Sequence, residues 1–381
     1  MPFLSRRGFL ATASAALGAS AVPGLAWTGE AARPHKPIPM LHVTDLFRPH
    51  IDPDDHWDLA CVYALAYRGS VDLAGVFIDY PPGRGRDPDV LGVAQMNYVT
   101  GKTTPVIVGT PQRIDPRDAA KPENAAALRG VLAVLEILRR SPEPVVVSIL
   151  GSCRDVALAG RLAPELFARK CAAIYLNAGS GTPDASLASR LEYNVGLDPL
   201  SYAAMFAMPC PVYWMPCFEV AGSAKVSTYG TFYRFQQGDV LPGLSDRVQN
   251  YFAYVFKHGA LAKDQSGDGR RSDWLQYLLG AKDAELLARV HAMQRNMWCT
   301  GGFLHAAGLT VGGDGGIVPL ATAKDAVFTF DPIQVTCSPQ GITQWHRDPG
   351  ATKRFIFHVR NRERYTAAMT AALKSLLSKL P

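Results

Sequence analysis

The sequence predicts an α/β protein, a mainly parallel, doubly wound sheet with helices on both faces, built as a single large domain over residues 38–381. Three observations predict it. Short apolar runs with the character of buried strands (39–43, 71–78, 104–109, 144–150 and 172–177) alternate with helical stretches free of breakers. The joins between them are short. The run Val145-Val-Val-Ser-Ile-Leu150 is apolar almost throughout, as expected of a parallel strand buried on both faces.

Ahead of that domain, Ser5-Arg-Arg-Gly-Phe-Leu10 sets a twin-arginine pair before a Gly/Ala-rich apolar run that ends near Ala26. This reads as an export signal, too short and too rich in small residues to be a permanent membrane span. Cleavage after Ala26 or near Ala32 makes residues 1–32 a signal peptide and linker, and the mature protein periplasmic or secreted. No later stretch is long and apolar enough to cross a membrane, so no stable membrane anchor is expected. A net charge of +6 without a run of Lys or Arg excludes a nucleic-acid arm. The seven cysteines are scattered, odd in number and free of any Cys-x-x-Cys, which argues against a zinc knuckle or redox pair. A Cys210–Cys217 bridge is compatible with an oxidising compartment.

The first strand, around Pro39–Val43, leads into Thr44-Asp-Leu-Phe-Arg-Pro-His-Ile-Asp-Pro-Asp-Asp-His-Trp-Asp58, which carries Asp45, Asp52, Asp54, Asp55 and Asp58. A helix is expected from Asp58 to Tyr67, so the acids occupy a strand-to-helix loop, where open α/β sheets bind ligands. Capping the helix uses one Asp, not five. Crowded carboxylates repel, and a hard cation such as Ca²⁺ or Mg²⁺ resolves the conflict.

A second strand ends at Asp79. After it come a Gly/Pro/Arg loop with Arg84 and Arg86, a helix over 90–100 with Gln95 and Asn97, and an amphipathic helix over 125–140. Gly151-Ser-Cys-Arg-Asp155 follows the fourth strand and opens another helix. The glycines at 179 and 181 form no dinucleotide fingerprint. Glu192-Tyr-Asn194 precedes Asp198-Pro199 and a further helix. Residues 221–281 read as helical with long loops. Strands are expected over 326–330, 333–337 and 355–359, and a closing amphipathic helix over 365–380.

This order of segments resembles the nucleoside hydrolase superfamily, in its exported, divergent branch, from about Met40 to Trp345. Thr44-Asp45 with Asp52-Pro-Asp54-Asp55 is similar to that family's opening acidic loop, though longer by Leu46–Ile51. Gly151-Ser-Cys-Arg-Asp155 stands where the family has a Gly-Pro-Leu-Thr-Asn turn. Glu192-Tyr-Asn194 is similar to its ribose-binding segment. The resemblance implies cleavage of an N-glycosidic bond through an oxocarbenium-like sugar, by a water that a bound Ca²⁺ positions. It implies Asp45 as general base and metal ligand, Asp55 and the Arg154 carbonyl as further ligands, and Asp54, Glu192 and Asn194 on sugar hydroxyls. Asn97 joins them as a substrate-binding candidate and His305 as the acid that protonates the leaving base. The family's His-Asp pair is here His305-Ala306, one carboxylate short. The partner implied is a small nucleoside or ribosyl substrate; a homo-oligomeric assembly is left open. The competing reading is an exported sugar- or nucleoside-binding protein, catalytically weak or inactive, on the same fold.

Overall fold

The computed structural model describes residues 36–381 except 49–52, 80–86, 112–126, 185, 188–189 and 259–272. The expected export signal, Asp52, Arg84 and Arg86 lie outside the described residues. Residues from Lys36 onward cluster as one unit.

Nine strands form the central sheet: β1 (Ile38–Thr44), β2 (Val71–Ile78), β3 (Val106–Val108), β4 (Val145–Ile149), β5 (Cys171–Asn177), β6 (Val212–Met215), β7 (Phe328–Cys337), β8 (Thr343–Arg347) and β9 (Arg354–Val359). Their order is β8-β7-β9-β6-β5-β4-β1-β2-β3. From β3 to β9 every pairing is parallel; β7 runs antiparallel to both β9 and β8. The doubly wound, mainly parallel expectation therefore stands.

Each face of the sheet buries its own apolar core, as alternation along a strand requires. On β1, Met40 faces one core while Leu41 and Val43 face the other. The first core is covered by α1 (Asp54–Tyr67), α8 (Asp246–Lys257) and α12 (Arg362–Leu377). The second is covered by α3 (Arg129–Arg140), α4 (Arg154–Leu162) and α7 (Pro199–Met205). The remaining helices are α2 (Val90–Thr100), α5 (Pro164–Lys170), α6 (Tyr193–Leu197), α9 (Trp274–Leu279), α10 (Ala284–His291) and α11 (Thr300–Ala306).

Three local expectations change. Helix α1 starts at Asp54, not Asp58, so Asp54 and Asp55 form its first turn, where the positive end of the helix dipole favours acids. The two late strands are one, because Pro332 does not end β7. It marks a change of partner: Phe328–Pro332 pairs with β9 and Ile333–Cys337 with β8. A proline has no N–H to lose from the ladder at that handover. Finally, all seven cysteines are free thiols. Cys210 and Cys217 lie on either side of β6, and seven extended residues span about 23 Å, far beyond the roughly 7 Å limit of a disulfide.

Candidate functional site at the strand-order reversal

Strand order reverses between β1, which is followed in chain order by its neighbours β2 and β3, and β4, which starts the opposite half. Open α/β sheets bind ligands in the crevice at such a point, beyond the carboxyl ends of the strands. Asp45 follows β1, and Asp79 follows β2, its N–H donating to the Thr44 carbonyl at 3.0 Å. Gly151 follows β4. A methyl built on Gly151 would stand 2.9 Å from the Asp45 Cβ, 2.9 Å from Asp79 Oδ2 and 3.0 Å from the Asp45 nitrogen. Only glycine lets these three strand ends approach so closely.

The charges gathered here are one-sided. Burial pushes the Asp45 carboxyl well above its ordinary range, and the charges of Asp79 and Asp54 push it further. Burial likewise raises Asp55, with Asp45 and Asp58 adding to it; the Thr44 hydroxyl, donating to Asp55 Oδ1 at 2.9 Å, opposes the rise. Burial lifts Asp79 to about 8 and Asp58 to about 7. Asp79 Oδ2 accepts from the Ser152 N–H, whereas Asp79 Oδ1 is buried with no partner. An orphaned, buried carboxylate oxygen in a nest of acids is what a bound cation or a substrate hydroxyl would satisfy.

Hard oxygen donors of this kind suit Ca²⁺ or Mg²⁺. Among the described residues, however, no group of three or more His, Cys, Asp or Glu side chains converges closely enough to form a metal shell. The donor chemistry fits a hard cation; a closed shell is not formed.

Asn194 is held at the same strand ends. Its Nδ2 donates to the carbonyls of Leu150 and Asn177, tying the tip of β4 to that of β5. Glu192 caps α6: Oε1 accepts from the Asn194 N–H at 3.0 Å and Oε2 from the Gly179 N–H at 2.9 Å. Arg154 is the first residue of α4, so its carbonyl points along that helix, toward its C-terminal end. Its buried guanidinium reaches the Thr110 carbonyl at 3.3 Å and Asp198 at 3.6 Å.

Two candidates are not brought to the acids. Asn97 accepts from the Tyr63 hydroxyl and the Thr104 N–H and donates to the Thr104 carbonyl, bracing α2 against the segment that enters β3. His305 lies in the last turn of α11, its Nδ1 2.7 Å from the Tyr175 hydroxyl and its ring against Tyr213 and Phe330. Burial among these aromatics lowers it to about 4. The opposite end of α11 faces the site: the Cys299 thiol reaches Asn177 Oδ1 at 3.3 Å and stands beside Asp58. Ala306 is buried.

Sequence reasoning did not select Asp79, Ser152 or Asp155. Asp155 takes up the hydroxyl and N–H of Thr110, at the end of β3. The available signal was position, since Asp79 ends the strand next to β1. Beside the site the Trp214 indole donates to the Ala178 carbonyl, and Trp298 packs on Phe218 and Phe232.

No protein-family model matches this sequence, and no curated protein matches it significantly. Solved structures do match in fold. The type III effector XopQ, complexed with adenosine diphosphate ribose, aligns with a TM-score of 0.52 at 16% identity, covering 91% of this chain and 96% of the effector. An inosine-guanosine nucleoside hydrolase aligns at 0.49 and 13% identity, covering 88% and 98%. The plant nucleoside hydrolase PpNRh1 aligns at 0.49 and 14%, covering 90% and 99%. The chain shares its fold with the XopQ effector. At these identities the likeness is one of fold.

Proposed function

We propose that this protein is an exported N-ribosyl hydrolase acting on a nucleoside or related ribosyl compound at the crevice between β1 and β4. The observation that carries the reading is the set of acids at that crevice, with Asp79 Oδ1 buried and without a partner. Asp45 and Asp55 would hold a hard dication, with Ca²⁺ the first candidate and main-chain and water oxygens completing its surroundings. When bound, such an ion neutralises the acids and lowers the pKa of water beside it. Asp45, in its ionised form, would accept the proton of the attacking water. Asp54, in the first turn of α1, would bond a sugar hydroxyl. Glu192 and Asn194 hold the tips of β4 and β5 together, and from there would reach sugar hydroxyls as the resemblance implies. ADP-ribose, the ligand of the XopQ complex, joins inosine and uridine as a candidate substrate.

A second reading, an exported ribosyl-binding protein without useful turnover, is favoured by His305. Its seat on Tyr175 leaves the acids without that imidazole to protonate a leaving base. The two readings part in one experiment on the mature protein with calcium: binding of inosine, uridine and ADP-ribose by calorimetry, beside release of reducing sugar. Binding with release supports the hydrolase, binding alone the binding protein, and neither one overturns both.

A further inference from the structure

Two neighbouring thiols lie away from the acids, at the opposite end of the sheet. Cys171 opens β5 and Cys210 directly precedes the approach to β6, its parallel neighbour. Register fixes their relation. Ile174 pairs with Val212, and the Ile174 N–H donates to the Pro211 carbonyl at 2.9 Å, which sets Cys210 beside the start of β5. One strand spacing sideways and one residue along gives a Cα separation of roughly 6 Å, within the usual range for a disulfide. The two thiols are close enough to shift one another's acidity, and the Cys171 Sγ lies 3.6 Å from the Ala173 carbonyl. Both are buried. The turn that delivers Cys210 is held by Arg354, whose guanidinium donates to the carbonyls of Phe206, Met208 and Cys210. The pair is thus preset by two rigid segments rather than by a mobile loop.

We infer that Cys171 and Cys210 are a disulfide-forming pair, closed when the chain folds in an oxidising compartment. Cys210 is the attacking sulfur: the neighbouring Cys171 thiol, together with Arg354 and Lys353, favours its thiolate. That thiolate attacks an external small-molecule disulfide and expels one thiolate. The Cys171 sulfur then displaces the second and closes the Sγ–Sγ bond. Both thiol protons pass to the two released thiolates, so the external disulfide is reduced as the pair is oxidised. The other close pair, Cys217 and Cys299, shares the single acceptor Asn177 Oδ1 at 3.4 and 3.3 Å and is kept apart by it.

The test uses the mature chain, reduced and unfolded, then refolded with a reduced and oxidised glutathione mixture, alkylated and digested for mass spectrometry. The expected result is one cross-linked peptide joining Cys171 to Cys210, with the other five of the seven cysteines alkylated. The oxidised protein should also lose roughly 5 °C in Tm on reduction, because the link constrains the unfolded chain. Cys171→Ala should lack both the cross-link and the response to reductant. Alkylation of both Cys171 and Cys210, or a cross-link between Cys217 and Cys299 in their place, would overturn the inference.

Discussion

Replacing Asp79 by asparagine isolates the energetic claim on which the site depends. Asp79 is 1% exposed, one carboxylate oxygen takes the Ser152 N–H, and the other takes nothing. Its carboxyl is raised from 3.8 to about 8, first by burial and also by Asp155 and Asp55, against the pull of the Ser152 N–H and Arg154. At 1.36 kcal/mol for each pH unit, that distance amounts to a penalty of about 5 kcal/mol on the ionised form at pH 8. The sign follows from linkage. The folded carboxyl holds its proton more tightly than the unfolded one, so the penalty is absent below pH 4 and grows as pH rises toward 8. Asp79→Asn keeps an oxygen for Ser152 and removes the charge. In chelator at pH 8 the variant should be more stable than the parent by about 3 kcal/mol, allowing for protons shared with Asp45. At pH 4 the two should be nearly equal. Urea unfolding followed by fluorescence at both pH values measures this. A variant no more stable than the parent at pH 8, or a difference that does not change with pH, would refute the electrostatic reasoning.

Other expectations come from neighbouring parts of the structure. Gly151→Ala should destabilise by about 2 kcal/mol and weaken any calcium response, since the added methyl meets Asp45 main chain as well as side chain; circular dichroism melts with and without calcium check it. His42 lies buried under the site against Phe303 with both ring nitrogens unpartnered, and burial lowers it to about 3. The unfolded chain therefore binds that proton first, and stability is lost as pH falls from 6.5 toward 3, by up to about 5 kcal/mol. His42→Leu should flatten this limb of the stability profile in denaturant titrations; an unchanged limb would show that His42 does not titrate there. For export, lysine at both Arg6 and Arg7 should leave precursor in the cytoplasm, read by fractionation, and normal export would sink the twin-arginine assignment.

Much of the fold was legible because its signals are local. Val145–Ile149 could only be a strand buried on both faces, and α3 shows its apolar stripe plainly. The start of α1 was hidden because Pro53-Asp54-Asp55 has the composition of a loop, while the helix dipole welcomes those same acids. Pro332 suggested a break because sequence cannot show which partner a strand has on either side of a proline. The site was legible in one stretch only. Asp45, Asp54, Asp55 and Asp58 announce themselves by density, whereas Asp79 and Ser152 reach the crevice through sheet order, a property of distant pairings. His305 shows the converse: next to Ala306 it resembles a family motif, yet the turn of α11 that carries it is packed on Tyr175, and Cys299 stands at the end nearer the acids. Asn97 looked available, yet it is bonded to Tyr63 and Thr104.

The central claim is that the acids at the crevice drive cation-dependent release of ribose. It is tested most directly by measuring reducing sugar from inosine, uridine and ADP-ribose with the mature protein, in calcium and after chelation, beside Asp45→Asn. The account predicts release in calcium, loss of at least about 100-fold in chelator, and a similar loss in Asp45→Asn, whose amide cannot accept the proton of water. Release that persists in chelator, or an Asp45→Asn variant as active as the parent, would contradict it.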